Sequence, residues 1–344
     1  MVQIIFLHLF QYGGIHKAIY LKDNPSAAFI VDFMWCLSRT PVDVFVMISG
    51  YFLITSKSDI HSALQRCKKP YEGMLCYSLI IGIIFFIIMP ELFIPAEVIK
   101  TLLPFFSRTW YFLDNYIIIL LISPFLDKML VALSKKEYLF FAGIVFLVMS
   151  VWSTLGKIDV ISDVVNTSKV TDNYYGKSLG GFLTMYIIGG YIHLHIKDDH
   201  ISVFKKRMCY LLLFFGMCIL DFTLYSIFPE YKKVYGMFNN PLVIIESVVL
   251  ILFFRSLTFS SNVINTLAST TLGVYIIHEH PYIRKWLWAT FNMQNPSFYQ
   301  NLSYIPLSVL VCLAVFSGCS LIELIRMKLF TIFTEHRQRK KVKQ

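Results

Sequence analysis

An apolar run of roughly the 20 residues that a bilayer-crossing helix requires recurs along nearly the whole chain. Such runs lie at 1–10 (a short one), 27–54, 74–89, 110–126, 138–155, 181–195, 209–227, 241–254, 266–280 and 302–323. Backbone polar groups in lipid must be satisfied internally, so spanning segments fold as helices or as closed barrels, and runs of this length select helices. Composition agrees, with 56% hydrophobic and 15% charged residues, against about 25% charged in an ordinary soluble chain. No internal repeat, low-complexity tract or soluble domain interrupts the series, the longest polar connection being 156–180. The expected fold is all-α, a polytopic membrane helix bundle of about ten transmembrane helices over 1–323, followed by a basic tail at 324–344.

The formal net charge of +10 does not indicate a nucleic-acid partner, because no reading module accompanies it. Topology accounts for it better. The connections 55–73, 127–137, 196–208 and 255–265 together with the tail hold nineteen Lys and Arg residues, whereas the alternate connections hold eleven. The excess places the first set, and with it both termini, in the cytoplasm of a multi-pass plasma-membrane protein. The tail EHRQRKKVKQ is then an anchor toward anionic lipid headgroups. The seven cysteines, at 36, 67, 76, 209, 218, 312 and 319, are odd in number and scattered, with no C-x-x-C pair. They read as reduced packing residues, without a disulfide framework or zinc site. The start, MVQIIFLHLF, has neither a basic flank nor a small-residue cleavage site, so no cleavable signal peptide is expected.

The run 27–54 is too long for one plain span and contains Thr40-Pro41-Val42-Asp43. Thr can cap, Pro suits the first helical position and Asp suits the first turn, so a helix is predicted to start at Pro41. From Pro41 to Ile54 the chain reaches roughly 21 Å, short of the roughly 30 Å hydrocarbon core. The break, and Arg39 beside it, therefore fall at membrane depth. Non-helical backbone there is tolerated only against protein or a water-filled cavity, and Arg39 is expected to face an internal polar cavity. The plainer alternatives are a pair with Asp43, four positions on, or an outward snorkel. Further polar residues gather at comparable depth: His8, Ser49, Asp114, Asn115, Glu246, His278 and Glu279.

The run RTPVDVFVMISGYFL resembles the R-x-x-V-P-x-F-F-x-I-S-G-[YF] signature of the integral-membrane acyltransferase family, acyltransferase family 3. TWYFLDNYIIILLISPFL at 109–126 is similar to that family's Trp-Tyr-Leu segment ending in Ser-Pro. LGVYIIHEHP at 272–281 is similar to its Gly-Ile-Tyr-Leu-Ile-His element, and His8 matches its histidine near the end of the first helix. Two departures stand out: the signature's proline precedes the valine here, and only seven residues, about 10 Å of helix, lead to His8.

The resemblance implies transfer of an acyl group, usually acetyl from acetyl-CoA, to a hydroxyl of a cell-surface or lipid-linked glycan. It makes His8 the base or transient acyl carrier, and Arg39 the fixed charge for an oxyanion or an anionic group. Asp43, Ser49, Trp110, Tyr111, His278 and Glu279 become candidates for binding the acceptor. Arg66, Lys68 and Lys69 in the 55–73 connection are candidates for the coenzyme A phosphates, topology alone being the other account of them. No metal is expected, since the H-x-H pairs at 193–195 and 278–280 point to different helix faces. The rival class is a transporter or flippase of lipid-linked sugars, disfavoured because no corresponding pair of broken helices marks two halves. A glycan polymerase would carry a large outer loop, and the longest loop here is about 25 residues by these boundaries.

Overall fold

Each of the ten apolar runs coincides with helix in the computed structural model, which describes residues 1–15, 24–56, 59–107, 109–162, 164, 174–197, 202–293, 295 and 303–342. The helices are, in chain order, α1 (Val2–Tyr12), α2 (Pro25–Leu37), α3 (Pro41–Leu53), α4 (Ile60–Ile88), α5 (Pro95–Leu102), α6 (Tyr111–Ala132) and α7 (Lys135–Phe146). They continue with α8 (Leu179–His195), α9 (Val203–Ile227), α10 (Pro241–Arg255), α11 (Asn262–His278), α12 (Pro281–Thr290) and α13 (Tyr304–Val342). No strand occurs among the described residues. Among the described residues, five stretches, Ile60–Ile88, Tyr111–Ala132, Lys135–Leu155, Val203–Ile227 and Tyr304–Ile332, are long and apolar enough to cross a membrane. The other runs form shorter helices.

The predicted break in the second run is present. The run divides into α2 and α3 around Ser38-Arg39-Thr40, and Pro41 opens α3, where its missing N–H costs no hydrogen bond. Thr40 does not cap, because its backbone is already helical (φ −69°, ψ −21°) and its buried hydroxyl has no partner. Two connections expected as loops contain short helices, α5 and α12, each with proline at its first position. Ile99, Leu102 and Trp286 project outward from them, as in helices that lie at a membrane interface. The final helix runs unbroken to Val342, so the tail is a continuation of it. The tail's basic side chains from Arg337 onward lie outside the described residues.

The chain forms two compact units, Met1–Ala28 with Gly73–Trp110 and Phe259–Gln344, and Phe29–Glu72 with Tyr111–Thr258. Because lipid is as apolar as a protein core, helices in a membrane associate through close packing and polar bonds rather than through hydrophobic burial. In the first unit, Tyr77 donates to Glu323 Oε2 at 2.6 Å, and Arg326 grips the same carboxylate through Nε (2.7 Å) and NH2 (2.6 Å). Gly273 makes room for it, since a Cβ there would lie 2.4 Å from the Glu323 carboxyl carbon. In the second unit, α3 and α8 press backbone to backbone. A Cβ on Gly50 would stand 2.1 Å from the Tyr186 carbonyl oxygen, and one on Gly189 would stand 2.0 Å from that of Met47.

Candidate functional site

In the first unit the ends of α1 and α11 bring His8 together with the adjacent His278 and Glu279, of which His278 lies 270 residues further along the chain. His8 Nδ1 lies 2.8 Å from His278 Nε2 and 3.2 Å from Glu279 Oε1. His278 is fully enclosed, whereas 13% of the His8 side chain is exposed. His8 is thus the member of the pair that a small molecule can reach.

The hydrogen bonds fix which nitrogen of each ring carries a proton. His278 Nδ1 is 2.5 Å from the Val274 carbonyl oxygen, one turn back on α11. A carbonyl only accepts, so Nδ1 of His278 carries the hydrogen, and with both rings neutral its Nε2 is an acceptor. The 2.8 Å bond then needs its hydrogen from His8 Nδ1. The proton-accepting lone pair of His8 is therefore on Nε2. Glu279 faces the protonated side of His8, where a carboxylate steadies the imidazolium that forms when Nε2 takes a proton. Arg284, on α12, holds the other carboxylate oxygen at 3.3 Å and lies 4.1 Å over the Tyr12 ring.

The surroundings of this group are tied to the same helices. The Trp110 Nε1–H donates to the Ile276 carbonyl at 3.1 Å, and its ring meets that of His280 edge-on. Trp110 is thus a buried brace for the end of α11. The two histidines of the 278–280 pair point apart, as expected, with His280 accepting from the Tyr282 N–H at the start of α12.

Arg39 belongs to the second unit and is 1% exposed. Its guanidinium pairs with Asp221, donates to the Tyr235 carbonyl, reaches Cys36 Sγ at 3.3 Å and lies 4.2 Å over the Tyr235 ring. The expected cavity is therefore lined by protein partners, and the carboxylate that answers Arg39 is Asp221 rather than Asp43. Asp43 is buried, with Oδ2 making no hydrogen bond. In the same unit Ser49 donates to the Phe45 carbonyl at 3.1 Å and to the Tyr116 hydroxyl at 3.4 Å. Lys177 Nζ stands 5.2 Å over the Tyr111 ring, and Asn115 bonds the carbonyls of both residues.

Arg66, Lys68 and Lys69 share one turn near the start of α4. Arg66 donates to Ser56 at 2.8 Å, and the exposed Lys68 approaches Glu72 at 3.7 Å. Among the described residues, two groups have ligand atoms close enough to hold an ion: His8, His278 and Glu279, and Cys36, Cys218 and Glu246, each set within 4.8 Å.

Sequence reasoning passed over Asp221, Arg284 and the meeting of Cys36 with Cys218. Asp221 had a signal, an acidic residue inside an apolar run. Arg284 had a weaker one, as the first basic residue after the 272–281 motif. The cysteines had none, lying 182 residues apart on α2 and α9.

A family model described as an acyltransferase domain matches residues 1–323. No curated protein and no solved structure matches the chain.

Proposed function

Because the chain belongs to acyltransferase family 3, whose model spans residues 1–323, we propose that this membrane acyltransferase moves an acetyl group from acetyl-CoA to a hydroxyl of a cell-surface or lipid-linked glycan at the plasma membrane. The observation that supports this most is the hydrogen-bonded chain from Val274 through His278 to His8, which leaves His8 Nε2 as a base. Acetyl-CoA supplies a thioester carbonyl and a sulfur leaving group. His8 Nε2 takes the proton of the acceptor hydroxyl as that oxygen attacks the carbonyl, and returns it to the departing sulfur. Glu279 balances the intermediate imidazolium, and Arg284 keeps the carboxylate turned toward it. Arg66, Lys68 and Lys69 bind the donor's phosphates from the cytoplasm, where both termini also lie. Arg39 carries no step of the transfer in this reading, since its donors are committed to Asp221, Tyr235 and Cys36.

The test is comparative mass spectrometry of cell-surface glycans from cells with and without the chain, combined with incorporation of labelled acetyl-CoA into membranes. The expected result is an acetyl-sized mass difference, labile to mild base and present only with the chain. Identical glycans and no label in any base-labile product would contradict the proposal.

A further inference from the structure

Deep in the second unit two thiols and a carboxylate come together, with their ligand atoms within 4.8 Å of one another. Cys36 lies in the last turn of α2, Cys218 is in α9 and Glu246 is in α10, and all three side chains are fully enclosed. Neither carboxylate oxygen of Glu246 makes a hydrogen bond of ordinary geometry, although the Cys218 thiol and the charge of Arg39 act on it. The guanidinium of Arg39 is committed to Asp221, and Asp43 and Asp221 are enclosed as well. A buried carboxylate in such company calls for a cation or a proton.

We propose that Cys36 Sγ, Cys218 Sγ and Glu246 bind one thiophilic divalent cation of the zinc class. The spacing suits it: tetrahedral zinc, with bonds of about 2.0–2.3 Å, sets its ligand atoms about 3.5–3.8 Å apart, and these atoms lie within 4.8 Å of one another. The polar groups behind the ligands suit it too, since Arg39 NH2 stands 3.3 Å from Cys36 Sγ, a donor that steadies a thiolate. Binding replaces two S–H protons, which leave to solvent, by one ion of charge two, so the cluster keeps its net charge while Glu246 gains a counter-ion. Thiolate ligands disfavour magnesium and calcium. The His8, His278 and Glu279 group does not share these features, because its two ring nitrogens are hydrogen-bonded at 2.8 Å, closer than the about 3.3 Å between two nitrogens on one tetrahedral zinc. The Cys218 carbonyl oxygen and Asp221 Oδ2 also lie near the group, 3.5 and 3.6 Å from Cys36 Sγ.

The experiment is elemental analysis of the full chain purified in detergent from zinc-supplemented cells, followed by exchange with cobalt. The expected result is about one zinc per chain and, after exchange, a near-ultraviolet thiolate-to-cobalt charge-transfer band. Losing a partner behind a ligand already costs about 10- to 100-fold in affinity, so Cys36→Ser/Cys218→Ser should hold less than about a tenth of that zinc and lose the band. Cys209→Ser, which removes an exposed thiol of the same helix α9, should retain both. The proposal is overturned if the parent chain holds less than about a tenth of a zinc, if its cobalt form lacks the thiolate band, or if the double variant keeps its metal. The first two outcomes are read on the parent and do not depend on a variant folding.

Discussion

Replacing Gly189 by alanine tests the closest helix contact in the second unit. A Cβ there would stand 2.0 Å from the Met47 carbonyl oxygen, where ordinary contact begins at 3.4 Å. The obstacle is backbone on both sides, so no side chain can swing away, and α3 and α8 must separate by about 1.4 Å or bend. Overpacking of this kind costs typically about 1–3 kcal/mol. At about 2–4 °C per kcal/mol for a body of 150–250 residues, the thermal midpoint should fall by about 2–12 °C. Gly143→Ala on α7 is the control, because its Cβ would meet nothing within 4 Å and alanine is favoured over glycine in a helix by about 0.5–1 kcal/mol. Thermal unfolding of both variants in one detergent, followed by dye labelling of newly exposed cysteines, gives the comparison. If Gly189→Ala unfolds at or above the parent midpoint, or if the two variants shift alike, the backbone contact between α3 and α8 is not as close as described.

Arg39→Met should cost about 3–5 kcal/mol by leaving Asp221 enclosed without its charge partner, whereas Arg39→Met/Asp221→Leu should recover much of that loss. Thermal midpoints of the single and double variants check this. Arg284→Gln should lower kcat by up to about 10²-fold with KM little changed, because it releases the Glu279 carboxylate from its orientation without touching substrate. Steady-state kinetics in membranes separate the two parameters. At the start of α7, Ser134 and Glu137 form a reciprocal cap, and the bonds from Ser134 hold the Glu137 carboxyl below its ordinary range. A lowered folded value means that the cap stabilises the helix start above the ordinary carboxylate value of 4.5 and is lost as pH falls. Hydrogen exchange at residues 135–138 should therefore show greater opening in acid, and Ser134→Ala should remove that dependence.

The spans were legible because the bilayer fixes a length, and the break at Arg39 was legible because Pro41 and a charge at membrane depth each carry a steric or electrostatic cost. The partners of those residues were harder to read. In a soluble bundle the polar face of a helix shows which side turns inward, but lipid and protein interior are equally apolar, so α9 offers no stripe that singles out the side carrying Cys218 and Asp221. Arg39 was therefore expected to face an internal polar cavity, with Asp43 the acidic partner weighed as the alternative, and Asp221, which holds it, was not considered. The His8, His278 and Glu279 group was recoverable because motif resemblance named residues at both ends of the chain. Its hydrogen-bond order was not, because it depends on the Val274 carbonyl, which any residue at that position would present. The helices α5 and α12 were missed because eight- and ten-residue amphipathic segments look like polar connections when spans of about 20 residues are being sought.

The measurement closest to the central claim is acyl transfer by membranes carrying the parent chain or His8→Ala at matched protein level. Alanine removes the imidazole while keeping helix propensity, so insertion should survive. Loss of a general base typically costs about 10² to 10⁴ in rate, and a fall within that range is the expected result. Retention of more than about a tenth of the parent rate would show that His8 Nε2 does not take the acceptor's proton, and His278 would then have to be tested in its place.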